Sequence, residues 1–310
     1  MVIFGSSRGD ECMCRLFGFK SAVELSVHHS LRAAENAIAK QSLRHPDGWG
    51  IGYYYDGVPH LQRSSTAAFE DGTYERLARM LASDLVVAHV RKATVGGKND
   101  LNTHPFQFGR WLFIHNGNVV AFDRIRPLLL EIIDEKLRHR ILGETDSEHC
   151  FYLFLSFLLE GRERVPWQID VREGIAALRA TVHQIDALTA RFEREKRSEL
   201  NFLVTNGEIL LGTRRGIELY YSTKKHDCSI KSSCPHFSPH CLGPLLHDGK
   251  NTHVLIASEP ISQEDIWEEI PDASVFTVDH EIQVRIEPIG TSFTHPPLVT
   301  REHSVTSSRR

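Results

Sequence analysis

Met13-Cys14-Arg15-Leu16-Phe17-Gly18-Phe19 is the stretch with the clearest capacity for chemistry. If synthesis begins at Met13, or the chain is cut there, Cys14 becomes the first residue. Its thiol is then a nucleophile and its own α-amine a base. A free α-amine has a pKa of about 8 and a cysteine thiol about 8.5, so the two are matched for proton transfer near neutral pH. The amine is tethered to the thiol it activates, which gives the pair a fixed short reach. Taken alone, Cys14 reads first as a buried structural thiol, or with Cys12 as a metal-binding accident.

Attack on an amide also needs donors for the oxyanion and groups that hold the substrate. Asn116-Gly117, at the end of an apolar run, offers a side-chain amide and an unhindered backbone N–H. Preorganised donors of this kind are worth about 3 kcal/mol each. Asn-Gly is also a common turn. Arg91 ends another apolar run and can grip a carboxylate with two parallel hydrogen bonds; a surface ion pair is its plain alternative. Asp146 opens a helical pattern and can pair with an ammonium group or cap the helix. An Arg for a carboxylate and an Asp for an ammonium together suit the α-amino-acid end of a glutamine-like substrate. Each item is weak by itself, and the combination is specific.

The elements that must position these groups follow from pattern. Leu16–Phe19 predicts a short strand. Val27, Leu31, Ala34 and Ile38, spaced four, three and four apart, predict a helix. Arg44-His45-Pro46-Asp47-Gly48-Trp49-Gly50 is a glycine-rich turn leading into a strand over Ile51–Tyr55. Asp56-Gly57 predicts a hairpin with Val58–Arg63 as the return strand. A helix is expected over Glu75–Ala82, and Leu85–Val90 predicts a buried strand. A polar loop from Arg91 to Trp111 precedes a strand over Trp111–His115. Pro127–Leu137 reads as a helix with proline in its first turn. Thr145-x-x-Glu148 is a capping box opening an apolar helix through Leu159. Val171 to Phe192 gives the clearest amphipathic helix. Asn206-Gly207 joins Phe202–Thr205 to Ile209–Thr213, and further strands are expected at Val254–Ala257, Ser274–Val278 and Gln283–Ile286. Strands, then helices, then strands predict an α+β arrangement with helices layered on sheets.

Composition bounds the rest. A chain of 310 residues with 41% hydrophobic and 25% charged residues can bury a substantial core. A net charge of −4 gives no footprint for nucleic acid. No apolar run reaches transmembrane length, and residues 1–12 lack the basic and apolar regions of a signal peptide. The expected compartment is cytoplasmic, where six cysteines in 310 residues remain thiols.

The ordered motifs carry a family resemblance. They are Met13-Cys14 followed by Arg-Leu-Phe-Gly; Arg44-x-x-Asp47-Gly48-x-Gly50; Ala88-His89-Val90-Arg91-Lys92-Ala93-Thr94; Thr103-His104-Pro105-Phe106; His115-Asn116-Gly117; and Gly143-Glu144-Thr145-Asp146-Ser147-Glu148. In order and spacing they resemble the class II glutamine amidotransferases of the N-terminal-nucleophile hydrolase superfamily. Ile256-Ala257-Ser258-Glu259-Pro260 and Trp267-x-x-Ile270-Pro271 resemble the C-terminal part of a stand-alone subfamily. The resemblance is weaker between about residues 160 and 250. It implies a four-layer αββα sandwich. It also implies Cys14 as nucleophile on the γ-amide of glutamine, with Asn116 and Gly117 as oxyanion donors. Arg91 would then hold the substrate α-carboxylate and Asp146 its α-amino group. Thr94 and His104 would shape the pocket, and Arg44 and Asp47 would support the nucleophile. No metal or other cofactor is implied. Water would hydrolyse the γ-glutamyl thioester.

The expected organisation is a leader or mis-assigned start over 1–13, one amidotransferase domain over 14–293 and a polar tail over 294–310. The family pattern takes up nearly the whole chain, leaving no room for an ammonia-using second domain. A partner protein would take the ammonia, or the enzyme would be a plain hydrolase. The runs Leu101–His115 and Thr145–Glu148 look most like the amidotransferase-type subunit of a glutathione-degrading complex. A γ-glutamyl peptide is therefore an alternative substrate with the same clamp, and a peptidase an alternative partner. A catalytically inactive γ-glutamyl-binding subunit is a third reading. Residues 1–13, if retained, would turn the Cys14 α-amine into an amide and remove the base. Separately, His226, Cys228, Cys234, His236, His240 and Cys241 are zinc-type ligands within sixteen residues. Their spacing matches no standard metal pairing, and the chain has 18 histidines, so an ordinary insertion loop is expected there.

Overall fold

The apolar runs pair into two antiparallel sheets. In the computed structural model, which describes residues 14–229, 231, 232, 234, 237 and 252–290, the strands are as follows. They run β1 (Arg15–Ser26), β2 (Trp49–Tyr55), β3 (Val58–Ser64), β4 (Ala82–Val90), β5 (Phe106–Phe108), β6 (Trp111–Asn118) and β7 (Glu199–Thr205). They continue with β8 (Leu210–Arg214), β9 (Tyr220–Lys225), β10 (His253–Ala257), β11 (Asp265–Glu269), β12 (Ser274–Val278) and β13 (Val284–Pro288). The first sheet has the order β11-β9-β10-β1-β4-β2-β3, and the second β13-β12-β8-β7-β6-β5. The helices are α1 (Ile38–Gln41), α2 (Gly72–Met80), α3 (Phe122–Ile132), α4 (Glu135–Arg138), α5 (Asp146–Leu159) and α6 (Val171–Thr189).

Three clusters of buried side chains define four layers. One joins Phe17, Phe19, Val86, Ala88 and Val90 to Leu31, Ile38, Tyr74 and Ala78, so it lies between the first sheet and α1 and α2. A second joins Leu16, Leu85, Val87, Leu112, Ile114, Leu203 and Leu210 between the two sheets. The third packs α3, α5 and α6 on the outer face of the second sheet through Phe113, Phe151, Phe154, Leu178 and Phe202. The expected αββα sandwich is the observed one. Every residue of α5 is buried, because its remaining faces are covered by α3, α4 and α6. No helix among the described residues is long and apolar enough to cross a membrane.

The period-2 alternation of strands fixes where the site must be. On β1, Leu16 faces the inter-sheet core and Phe17 the outer layer, so Cys14 shares the inward side. On β4, Leu85 and Val87 face inward, which carries His89 and then Arg91 the same way. On β6, Leu112 and Ile114 face inward, and Asn116 follows. Arg15 pairs with Val90 across β1 and β4, so Cys14 and Arg91 leave the first sheet at one end. Three sequence-distant groups thus converge there.

Several local expectations differ from the structure. Val27 to Ile38 is a π-helical turn (His29–Ala33) and the short α1, with Ala34 extended between them, rather than one helix. Asn36 interrupts it, bonding through its N–H to Ile261 O and through its side chain to Pro260 O. The four apolar residues are nonetheless all buried. Pro127 lies inside α3, which starts at Phe122, rather than in a first turn; its exposed face lets water satisfy the carbonyl it leaves unbonded. The Glu75–Ala82 helix ends at Met80, since Ala82 already belongs to β4. The strands β5, β9 and β11 were not legible as strands. The capping box is present, with Thr145 Oγ1 accepting from Glu148 N at 3.2 Å. The Asp56-Gly57 and Asn206-Gly207 hairpins form as expected, with φ positive at Asp56, Gly57 and Gly207. The expected tail from 294 lies outside the described residues.

Candidate active site

Cys14 is half-buried just before β1, with its sulfur on the peptide of Lys92. Its Sγ accepts from Lys92 N at 3.2 Å and donates to Lys92 O at 3.3 Å. Burial pushes the thiol up to about 11; the Lys92 N–H and the charges of Arg91 and Arg15 oppose this, and the Asp146 carboxylate adds to it. Arg91 in turn feels Cys14, Asp47 and Asp146, although burial lowers its pKa overall. The structure therefore brings Cys14, Arg91 and Asp146 into one electrostatic neighbourhood.

Asp47 fixes the segment on which the sulfur sits. Its Oδ2 accepts from Ala93 N at 3.0 Å, its own N–H donates to Arg91 O at 3.0 Å, and Arg91 N donates to Gly48 O at 2.8 Å. The glycine-rich turn thereby clamps Arg91 through Ala93. Arg91 is 3% exposed, and its guanidinium donates to the carbonyls of Val95, Gly96 and Gly97 at 3.0–3.2 Å. That loop is fastened by Asn102, which bonds to Gly97 O and receives Glu144 N. The guanidinium is consequently held rigid before any ligand arrives.

Asn116 is fully buried and its Nδ2 donates to Ser258 Oγ at 3.1 Å. The same hydroxyl accepts from Leu16 N at 3.0 Å, and Ser258 N donates to Leu16 O. Ser258 thus ties the amide of Asn116 to the backbone two residues past Cys14, leaving the second N–H of that amide available. Gly117 has φ +154°, and a Cβ there would run into the carbonyl of Glu199. Only glycine lets β6 approach β7 this closely at that position.

Asp146 sits in the first turn of α5, with Thr145 as the N-cap. Its Oδ2 accepts from Val119 N at 2.8 Å and its Oδ1 from Ser147 N at 2.8 Å. Ser147 Oγ also donates to Oδ1 at 3.3 Å, so these bonds orient the carboxylate and Oδ2 keeps a further lone pair. His115 lies beside it, bonded to Ser147 Oγ at 2.9 Å and Glu199 O at 3.0 Å.

The remaining expected residues lie around this centre. Arg44 is exposed and pairs with Glu259 at 2.7 Å, the carboxylate that also meets Arg15 at 3.3 Å. It steadies the rim through Glu259. Thr94 is exposed on the loop after Arg91. His104 is buried, its ring 4.1 Å from that of His89 and 4.7 Å from that of Phe106. His89 contacts His115 O at 3.1 Å. Burial pushes His89 down to about 3 and His104 well below the ordinary range, so both rings are neutral packing groups beneath the strand that carries Asn116. Sequence reasoning missed Ser258 and Glu259 as site residues, although both fall in a quoted motif. It also missed the Lys92 peptide, a main-chain group with no side-chain signature.

Residues 13–291 match the family described as "Glutamine amidotransferases class-II". The probable glutamine amidotransferase DUG3 of Saccharomyces cerevisiae is 30% identical, with 96% of this chain and 90% of that protein covered. The γ-glutamyl-hercynylcysteine sulfoxide hydrolase of Mycobacterium tuberculosis is 26% identical, over 86% of this chain and 93% of the relative. Among solved structures, a glutamine aminotransferase class-II domain protein from Silicibacter pomeroyi superposes with a TM-score of 0.62 at 20% identity. That match covers 90% of this chain and all of the other. A glutamine phosphoribosylpyrophosphate amidotransferase from B. subtilis gives 0.56 at 14% identity, covering 90% of this chain and 50% of the other; both likenesses concern the fold. With the family match spanning most of its length, the chain belongs to the class II glutamine amidotransferases.

Proposed function

We propose that the active chain begins at Cys14 and hydrolyses the γ-amide of glutamine through a γ-glutamyl thioester on that residue. Class II glutamine amidotransferases act on γ-glutamyl amides, and this chain is one of them. The observation that carries the mechanism is the convergence of the Cys14 sulfur, the Arg91 and Asp146 charges and the Ser258-held Asn116 at one end of the inter-sheet layer.

In this reading the α-amine of Cys14 takes the thiol proton and the thiolate attacks the γ-carbonyl carbon. Negative charge develops on the carbonyl oxygen, which Asn116 Nδ2 and Gly117 N hold. The tetrahedral intermediate collapses as the α-ammonium returns its proton to the leaving nitrogen, and ammonia departs. The same amine then draws a proton from water, which attacks the thioester and frees glutamate. Arg91 and Asp146 hold the α-carboxylate and α-ammonium, with Thr94 and His104 shaping the surroundings. Asp47 and Arg44 act through the backbone and through Glu259. A thiol held near 11 needs such an adjacent base, and a nearby ammonium would also lower it. A reducing cytosolic compartment keeps Cys14 a thiol. The ammonia passes to a partner protein or is released.

A second reading has specific support. The mycobacterial relative, covered over 93% of its length, is named a γ-glutamyl hydrolase. A γ-glutamyl peptide presents the same α-carboxylate and α-ammonium to Arg91 and Asp146 and differs only in its leaving amine. An inactive γ-glutamyl-binding subunit is the remaining alternative. The test uses protein purified with Cys14 as its first residue. Initial rates are measured on glutamine and on glutathione as a γ-glutamyl peptide. Faster glutamine turnover supports the main reading, and faster peptide turnover the second. Saturable binding of either compound without turnover contradicts both and favours the inactive subunit.

A further inference from the structure

At the other end of β1 from Cys14, a second cluster of reactive side chains surrounds a cavity of about 60 Å³. His29, Cys228 and Glu264 come from three separate segments: the π-helical turn, the loop after β9, and the residue before β11. Their ligand atoms all lie within 4.8 Å of one another, and His29 Nε2 is 3.3 Å from Glu264 Oε2. Zinc bonds of about 2.0–2.3 Å at tetrahedral angles put donor atoms about 3.3–3.8 Å apart. Closure onto an ion therefore needs movements of about 1 Å, within reach of side-chain rotation.

Three further observations favour a cation. Asp265 lines the same cavity and is 6% exposed, yet neither of its carboxylate oxygens has a hydrogen-bond partner among the described residues. A buried carboxylate is otherwise paired or bound to a metal. Cys234 lines the cavity too, so further donors are at hand. The segments are already joined without an ion: His226 N donates to Glu264 O, Ser229 N to Glu264 Oε1, Asn36 N to Ile261 O and Gln263 N to Glu35 Oε1. The donor set is thus preorganised by the fold. One group opposes the cation. Lys225 Nζ lies 3.0 Å from Glu264 Oε2 and would have to share or yield that oxygen. With the thiol ionised, three negative groups (Cys228, Glu264, Asp265) face one positive group (Lys225), a net −2 that one divalent ion cancels.

We propose that His29, Cys228 and Glu264 form a structural zinc site that fastens the loop after β9 to the first sheet. The mixed nitrogen, sulfur and oxygen donors suit zinc over calcium or magnesium, which take oxygen. Binding releases the Cys228 proton to solvent, and Asp265 or water completes the coordination. An ordinary insertion loop is the expectation for the histidine- and cysteine-rich segment, and the proposal departs from it. Only Cys228 of that segment contributes here, while His236, His240 and Cys241 lie outside the described residues.

The full chain is purified, dialysed with zinc and then against metal-free buffer, and its zinc content measured by mass spectrometry. The same is done for His29→Ala, Cys228→Ser and Glu264→Gln. About one zinc per chain is expected for the parent, with a retained amount at least about tenfold lower in His29→Ala and Cys228→Ser. Cobalt loading should give a thiolate-to-cobalt charge-transfer band that Cys228→Ser abolishes. Glu264→Gln, which keeps the side chain's shape, guards against misfolding of the other variants, and circular dichroism reports their fold. Less than about a tenth of a zinc per folded parent chain overturns the proposal and leaves an ordinary Lys225–Glu264–His29 ion cluster. Equal zinc in the parent and all three folded variants overturns it as well, by placing the metal elsewhere.

Discussion

The two ends of β1 solve the same problem differently. At the Cys14 end, the candidate groups are held by main-chain N–H groups and by the Ser258 hydroxyl. Lys92 cradles the sulfur, Asp47 holds Ala93, Ser258 holds Asn116, and Val119 and Ser147 hold Asp146. At the His29 end, a buried aspartate has no hydrogen-bond partner among the described residues, and a lysine stands against one glutamate oxygen. The first arrangement sets charges of both signs, Arg91 and Asp146, near Cys14. The second is excess negative charge awaiting a cation.

Breaking the first end should have the larger effects. Cys14→Ala should abolish amide hydrolysis, lowering kcat by about 10⁴ or more, with an unchanged circular dichroism spectrum; rates and spectra measured together decide it. Asn116→Ala should lower kcat by about 10²–10³, the loss seen when one oxyanion donor is removed. Ser258→Ala leaves the donor but frees it to rotate, so its effect on kcat should be smaller, about tenfold, with KM little changed. A Ser258→Ala loss as large as that of Asn116→Ala would mean that position alone makes the donor useful. Arg91→Ala should act mainly on KM, since it removes the charge that meets the substrate carboxylate and not a transition-state donor; an unchanged KM would assign Arg91 to holding the 95–97 loop alone.

The smallest expected effect concerns pH. His89 is held down to about 3, and His104 well below its ordinary value, by burial. An unfolded histidine titrates near 6.5, so below that pH the unfolded chain binds protons that these two do not. Their contribution to stability is full above about 6.5 and is lost as pH falls toward 3. Each histidine steepens the loss by at most about 1.4 kcal/mol per pH unit. Urea unfolding at pH 7 and pH 5 should show a shallower acid loss in His104→Phe than in the parent. Equal slopes would mean that other groups set the acid limit.

What the sequence shows and what it hides follow from range. Hairpins at Asp56-Gly57 and Asn206-Gly207 and the Thr145 cap depend on neighbours two or three residues apart, so they are legible. The inward set of Cys14, Arg91 and Asn116 is legible as motif and becomes geometry only through strand register. Ser258 reaches Leu16 across 242 residues, and no local pattern announces that bond. β9 and β11 escape notice because they lie at and next to a sheet edge and half-expose their polar residues. The helical spacing from Val27 to Ile38 predicts burial correctly and conformation incorrectly, since Asn36 bonds to the 260–261 backbone instead of continuing a helix. His29, Cys228 and Glu264 are separated by up to 235 positions, which hides their cluster from any spacing rule.

The central claim is that Cys14, as first residue, carries the γ-glutamyl group. It is tested most directly by rapid acid quench of the chain beginning at Cys14 during turnover of glutamine or glutathione, followed by peptide mass spectrometry. The account predicts one γ-glutamyl group on the Cys14 peptide, absent from Cys14→Ala and from a chain that retains residues 1–13. Turnover that persists in Cys14→Ala, or an adduct formed equally well with residues 1–13 attached, would contradict it.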